Sequence, residues 1–150
     1  MLTYEDFPAG KSIDLGHYTV SAQDIIEFAE EFDPQDFHLD ANSKQAAGVG
    51  GLIASGWHTC SILMRMMCDS FLLETASQGS PGLDEIRWLH PVRPGDVLMG
   101  TSEVLNSRLS RSKPTLGLVH LTHTLKNQDD TVVMTVSGIN MISTRDGVVS

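Results

Sequence analysis

The sequence predicts an α+β fold in which a curved antiparallel β-sheet wraps one long central helix, and three observations carry that expectation. Residues 51–73 form an apolar run whose only charges are Arg65 and Asp69. Its apolar side chains, among them Leu52, Ile53, Trp57, Ile62, Leu63, Met66, Phe71 and Leu73, fall on every side of a helical wheel, and such a helix must be enclosed. Four strand-like stretches follow, at residues 83–92, 97–107, 116–127 and 131–143, joined by turns short enough to imply an antiparallel meander. A strand and an amphipathic helix come before it, so the elements do not alternate as a parallel β/α sheet requires.

Taken in order, a short Pro- and Gly-punctuated lead-in precedes a strand near residues 12–20. Ser21 opens a helix: Asp24 lies three residues on, Val20 can staple onto Ile25, and Ile25, Phe28, Ala29 and Phe32 repeat at helical spacing. Pro34 biases Asp33 away from helical geometry, so residues 33–38 read as an ordered turn leaving the helix. Asp40 is placed to cap a further short helix through Ala47, closed by Gly48. In the long helix Arg65 and Asp69 are four residues apart and share one stripe, which should meet solvent. Arg93-Pro94-Gly95-Asp96 has Pro and Gly placed for a type II turn, and residues 127–130 read as a hairpin turn. Nothing in the chain resembles a linker or a repeat, and residues 1–150 read as one domain of sufficient length to bury a core.

Composition removes several classes of function. A net charge of −9 argues against nucleic acid as a partner. The charge is uneven: more than half of the carboxylates fall in the first forty residues, where Lys11 is the only base, whereas Arg108, Arg111 and Lys113 form a local basic cluster suited to a phosphate-bearing ligand or to simple charge balance in a loop. The apolar run is interrupted by His58, Arg65 and Asp69 and lacks a basic flank, so a membrane span is not expected. No charged stretch precedes an apolar run in residues 1–10, so a secretory signal is not expected. Cys60 and Cys68 lie two turns apart, about 12 Å by helical rise, and cannot be bridged; reduced core thiols suit the cytoplasm.

Several chemical motifs fail on spacing. Gly48-Val49-Gly50-Gly51 precedes a helix, but Ile53 stands where a dinucleotide fingerprint needs its last glycine. Ser55 lacks the flanking glycines of a nucleophile elbow and reads as an ordinary helix residue. His120 and His123 are three apart on a strand and point to opposite faces, and no C-x-x-C or H-x-x-x-H spacing occurs, so no metal site is expected. What remains is Asp33 with His38. An imidazole and a carboxylate five residues apart on one tight turn can share a water molecule, the imidazole taking its proton while the carboxylate orients it. Asp33 also follows the C-terminus of a helix, where the dipole disfavours a carboxylate, so a capping role explains it poorly.

The whole series of features resembles a known family. A helix, a D-x(4)-H turn, glycines, G-L-I-A-S-G-W-H-T and then R-W-L-H-P-V-R-P-G-D are similar in kind and order to the MaoC-like dehydratases, the branch of the hotdog-fold superfamily that includes (R)-specific enoyl-CoA hydratases. The motif D-x-N-P-x-H of that family reads D-P-Q-D-F-H here, so Asp33 and His38 match its catalytic pair while Gln35 and Asp36 replace the Asn and Pro.

The resemblance implies hydration of a 2-enoyl thioester, or dehydration of a 3-hydroxyacyl thioester. Asp33 and His38 would hold the water, and the Gly51 N–H at the head of the long helix would polarise the thioester carbonyl. Thr59 would stand where related hydratases have a supporting serine, with Trp57 and His58 lining the acyl pocket and Arg108, Arg111 and Lys113 meeting the phosphates of coenzyme A. It implies no metal or redox cofactor, coenzyme A entering only as part of an acyl-CoA substrate, and a homodimer. A hotdog thioesterase and a non-catalytic acyl-thioester binding module are the other classes this sequence admits.

Overall fold

The computed structural model describes residues 1–148. After a 3-10 turn at Tyr4–Asp6, β1 (Ser12–Thr19) leads to α1 (Ala22–Phe32), the single turn α2 (Asp36–Leu39), the short α3 (Lys44–Gly48) and the central helix α4 (Gly56–Ser70). The strands β2 (Leu83–Trp88), β3 (Val97–Leu109), β4 (Leu116–Lys126) and β5 (Val132–Ser143) follow. With β1 they form one five-stranded antiparallel sheet in the order β1-β3-β4-β5-β2. The inward residues of β4, Gly117, Val119, Leu121, His123 and Leu125, alternate with a less buried outer row. Leu121, Leu125, Leu98, Met134 and Ile142 are fully buried in one cluster with Ile62, Leu63, Met66 and Met67 of α4. A sheet curled around one helix is the hotdog arrangement.

Local sequence explains the entry into this frame. Ser21 Oγ accepts from the Asp24 N–H at 3.0 Å, and Val20 and Ile25 on either side of that cap are fully buried. In the Arg93–Asp96 turn the Asp96 N–H donates to the Arg93 carbonyl at 3.1 Å and Gly95 has φ +86, the backbone a type II turn requires.

The structure corrects four expectations. The central helix begins at Gly56, not Gly51: Gly50 and Gly51 take φ of +81 and +127, and the following N–H groups serve tertiary partners, Ile53 donating to Phe37 O and Ala54 to Val92 O. The solvent-facing stripe of the helix is broader and more apolar than expected, for Trp57 and Met64 are 59% and 50% exposed in the single chain beside the Arg65–Asp69 pair. Ser43, not Asp40, caps α3, accepting from the Ala46 N–H at 3.0 Å. Finally, the last four strands are not a simple meander. β2 ends at Trp88 and pairs with β5 at the far edge; Leu89 still donates to Val133 O of β5, and the chain then passes the head of α4, where Val92 O accepts from Ala54, before β3 begins.

Candidate active site

Where α1 ends, Pro34 diverts the chain and Asp33 adopts φ −148 and ψ 70, its N–H still bonded to Ala29 O at 2.9 Å. This turns the carboxylate off the helix axis. The next turn, α2, delivers His38 to the same point: His38 Nε2 lies 3.2 Å from Asp33 Oδ2, with the two side chains 5% and 16% exposed. His38 Nδ1 is 2.7 Å from the Ile53 carbonyl. A carbonyl can only accept, so Nδ1 carries the proton and Nε2 is the nitrogen free to exchange one.

The partner the sequence did not reveal is Ser55. It is the N-cap residue of α4, yet its hydroxyl makes no capping bond and instead donates to Asp33 Oδ2 at 2.7 Å. Gln35 Nε2 donates to the other carboxylate oxygen, also at 2.7 Å. Burial pushes the Asp33 pKa up, but the bonds from Ser55 and Gln35 and the adjacent His38 outweigh it and hold the carboxyl below its ordinary value. Diverting Ser55 from capping also leaves the head of α4 open. Gly56, the first residue of that helix, has an N–H with no intrahelical acceptor. The Trp88 indole covers its other side, donating to Gly56 O at 3.0 Å, and a Cβ at position 56 would stand 2.5 Å from Trp88 Cε2.

These groups face a cavity of about 400 Å³ that Asp33, His38, Ser55, Gly56, Trp88 and Val133 help to line. That volume lies within the range of small-ligand sites. The combination is an imidazole base, a carboxylate partner and an unpaired helix N-terminus around one space, which can hold a water and stabilise a developing oxyanion.

The other sequence candidates divide. Thr59 and Trp57 line the cavity. Thr59 Oγ1 donates to the Ser55 carbonyl at 3.4 Å, a bond within its own helix, and does not support Asp33. Trp57 stands at the rim against Trp88, ring centres 5.6 Å apart. His58 does not line the cavity: it is buried, stacked on Phe28 at 4.8 Å, and burial, opposed by Asp24, lowers its pKa. Gly51 cannot act as an oxyanion donor at the helix head, since it precedes α4 by five residues and its N–H is bonded to Ala46 O at 2.8 Å. Arg108, Arg111 and Lys113 lie at the β3–β4 hairpin tip, roughly 30 Å along β4 from the cavity of their own chain, and none lines it. The N-cap pattern of Ser directly before Gly and an apolar helical run could have placed Ser55 at the helix head, but it carries no signal for the bond to Asp33.

A curved antiparallel sheet enfolding one helix places this chain among hotdog proteins, and a carboxylate–imidazole pair stands at the open head of that helix. The chain belongs to the MaoC like domain family, whose pattern matches residues 6–127. A MaoC-like dehydratase from Rhodospirillum rubrum is 37% identical, superposes with a TM-score of 0.88 and shares 97% of this chain and 99% of its own. The Bacillus subtilis (strain 168) protein YdeM, uncharacterized, is 28% identical over 86% of this chain and 90% of its own. The unliganded R-hydratase PhaJ1 from Pseudomonas aeruginosa shares the fold, with a TM-score of 0.71 at 19% identity over 95% of this chain and 85% of that one.

Proposed function

We propose that the protein is a hydratase/dehydratase acting on 2-enoyl and 3-hydroxyacyl thioesters, with acyl-CoA as the carrier. The observation that supports it most is the convergence of His38, Ser55-supported Asp33 and Gly56, the first residue of α4, on one cavity. In the hydration direction a water in the cavity, hydrogen-bonded to both Asp33 and His38, loses a proton to His38 Nε2 as its oxygen bonds to C3. The electrons of the C2–C3 double bond move toward the thioester, and the oxyanion that forms is met by the Gly56 N–H. A proton returned from the Asp33–His38 pair to C2 completes a 3-hydroxyacyl thioester, and reversal of these steps is dehydration. The thioester itself activates the double bond, so the reaction draws on no metal or redox group.

The assembly that fits is a homodimer. β2 is an edge strand whose Leu83 and Trp88, with Leu89 just beyond, are 54%, 47% and 55% exposed, an apolar unpaired edge of the kind a second copy covers. Size-exclusion chromatography with light scattering is expected to give twice the chain mass. A stable monomer would remove this part of the proposal.

Loss of enoyl-thioester absorbance with a panel of trans-2-enoyl-CoA substrates tests the activity. The protein is expected to turn over, and Asp33→Asn and His38→Ala to lose about 100- to 10,000-fold in rate with the fold intact. Release of free thiol without hydration would instead assign thioester hydrolysis, and binding without either reaction a carrier module.

A further inference from the structure

Arg93 holds an arrangement that its own stability does not explain. Arg65, Arg87 and Arg145 each lie beside a carboxylate, at Asp69, Glu85 and Asp6. The Arg93 guanidinium gives Nη2 to the carbonyl of Val49, while its Nη1 is buried without a partner. A cationic donor left unpaired away from water is costly, and a chain this rich in carboxylates had cheaper ways to place an arginine. The base of the side chain is fixed. The Arg93 N–H donates to Asp96 Oδ2 at 2.9 Å, Asp96 Oδ1 accepts from Gln128 at 3.0 Å, and Gly95 and Asp96 are tied to Val20.

What this fixed cation grips is the strap of residues 49–55, which leads from α3 to the head of α4. Gly50 and Gly51 let the strap lie directly on the guanidinium: a Cβ at position 50 would stand 3.2 Å from Nη2, one at position 51 would stand 3.6 Å from Nη1, and both residues have positive φ. A few residues on, the strap supplies an orienting contact to each member of the reacting pair. The Ile53 carbonyl accepts from His38 Nδ1 at 2.7 Å, and the Ser55 hydroxyl donates to Asp33 at 2.7 Å.

We propose that Arg93 is a positioning residue: by clamping the head of the strap it keeps the Ile53 carbonyl on His38 Nδ1 and so holds His38 in the tautomer whose Nε2 faces Asp33 and the cavity. The hydrogen bond at one imidazole nitrogen decides what the other can do, and an error of an ångström in such a support costs up to about 100-fold in rate. The catalytic part of this inference rests on the hydratase reading; the tautomer part does not.

The test uses the full-length protein with Arg93→Ala and Arg93→Lys. Nitrogen NMR of labelled histidine, read without substrate, is expected to show His38 held as the Nδ1–H tautomer in the parent, mixed between tautomers in Arg93→Ala, and largely restored in Arg93→Lys, whose ammonium can still reach the Val49 carbonyl. Turnover is then compared on a trans-2-enoyl-CoA and on the same acyl group carried by N-acetylcysteamine, which has no phosphate. A tenfold or greater fall in kcat on both carriers, with KM little changed, is the expected result. An unchanged tautomer in a folded Arg93→Ala protein overturns the proposal. So does a loss confined to KM for the CoA ester, which would make Arg93 a phosphate contact. If the parent turns over neither ester, the hydratase reading fails and the tautomer measurement still decides the role of Arg93.

Discussion

His38 and His123 are equally hidden, 4% and 5% exposed, and each forms a short contact through Nδ1, yet the fold puts them to different uses. His123 projects from the inner face of β4 into the core, where its Nδ1 meets the fully buried Ser102 hydroxyl at 2.6 Å. No carboxylate accompanies it, and burial alone pushes its pKa from 6.5 down to about 4. His38 has Asp33 at 3.2 Å, a carbonyl that fixes its tautomer, and a cavity in front of it. Burial without a counter-charge makes an imidazole a neutral packing group that happens to need one hydrogen bond. Burial with a carboxylate and an open side makes it a group that can receive a proton and give it back.

The sharpest way to separate the two is acid. Folding keeps His123 neutral, while the unfolded chain binds a proton below about pH 6.5, so the unfolded state carries more protons between pH 6.5 and about 4 and stability falls as the pH is lowered through that window. At about 1.36 kcal/mol for each pH unit the full loss is on the order of 3 kcal/mol. His58, also lowered by burial, adds to the same slope. Asp33 acts in the same direction but in a lower window: its depressed pKa contributes stability that is present above about pH 3.9 and is lost only as the pH falls further. Urea unfolding at pH 7 and pH 4.5 is expected to show a marked drop in the parent and a much smaller one in the double variant Ser102→Ala/His123→Leu, which removes imidazole and hydroxyl together. An undiminished drop in that variant would mean that His123 is not the group responsible.

On the side of the reacting pair, Ser55→Ala removes a buried hydrogen bond to a charged oxygen, worth about 1.5–3 kcal/mol, or about 10- to 100-fold in kcat/KM. Without that donor the Asp33 pKa rises, so the acid limb of the pH profile should move to higher pH. Ser55→Thr keeps a hydroxyl and should restore most of both. A rate loss with no movement of the acid limb would show that Ser55 supports the helix head and not the carboxylate.

Ser55 also marks the boundary of what could be read in advance. The Ser21 cap, the Pro34 break and the Asp33–His38 spacing were legible because each is written in a few neighbouring residues. The strand content was legible for the same reason. The place of β2 was not, since an antiparallel strand does not state which edge it joins, and β2 reaches β5 with the chain beyond Trp88 passing the head of α4 before β3 begins. The start of that helix was misread because Leu52 and Ile53 continue its apolar pattern. Leu52 is buried and Ile53 half-buried because they lie in a strap between α2 and Val92, which apolar periodicity does not distinguish from helix. The carbonyl of Ile53, a main part of the site, has no side-chain signature at all.

The smallest expected effect concerns Gln35, the position where D-P-Q-D-F-H departs from D-x-N-P-x-H. Gln35 and Ser55 each donate to Asp33 at 2.7 Å, so bond length does not rank them. Burial does: Gln35 is exposed on the turn, whereas Ser55 is 1% exposed beneath it. When an exposed donor is removed, water takes its place at the carboxylate oxygen, and the net loss is no more than about 1 kcal/mol, roughly two- to fivefold in kcat/KM. Gln35→Ala should therefore leave an enzyme with only a slight upward shift in its acid limb, and Gln35→Asn should differ little from the parent. If Gln35→Ala instead cost as much as Ser55→Ala, the amide would have to touch the reacting water, and the substituted position would be part of the chemistry and not of its support.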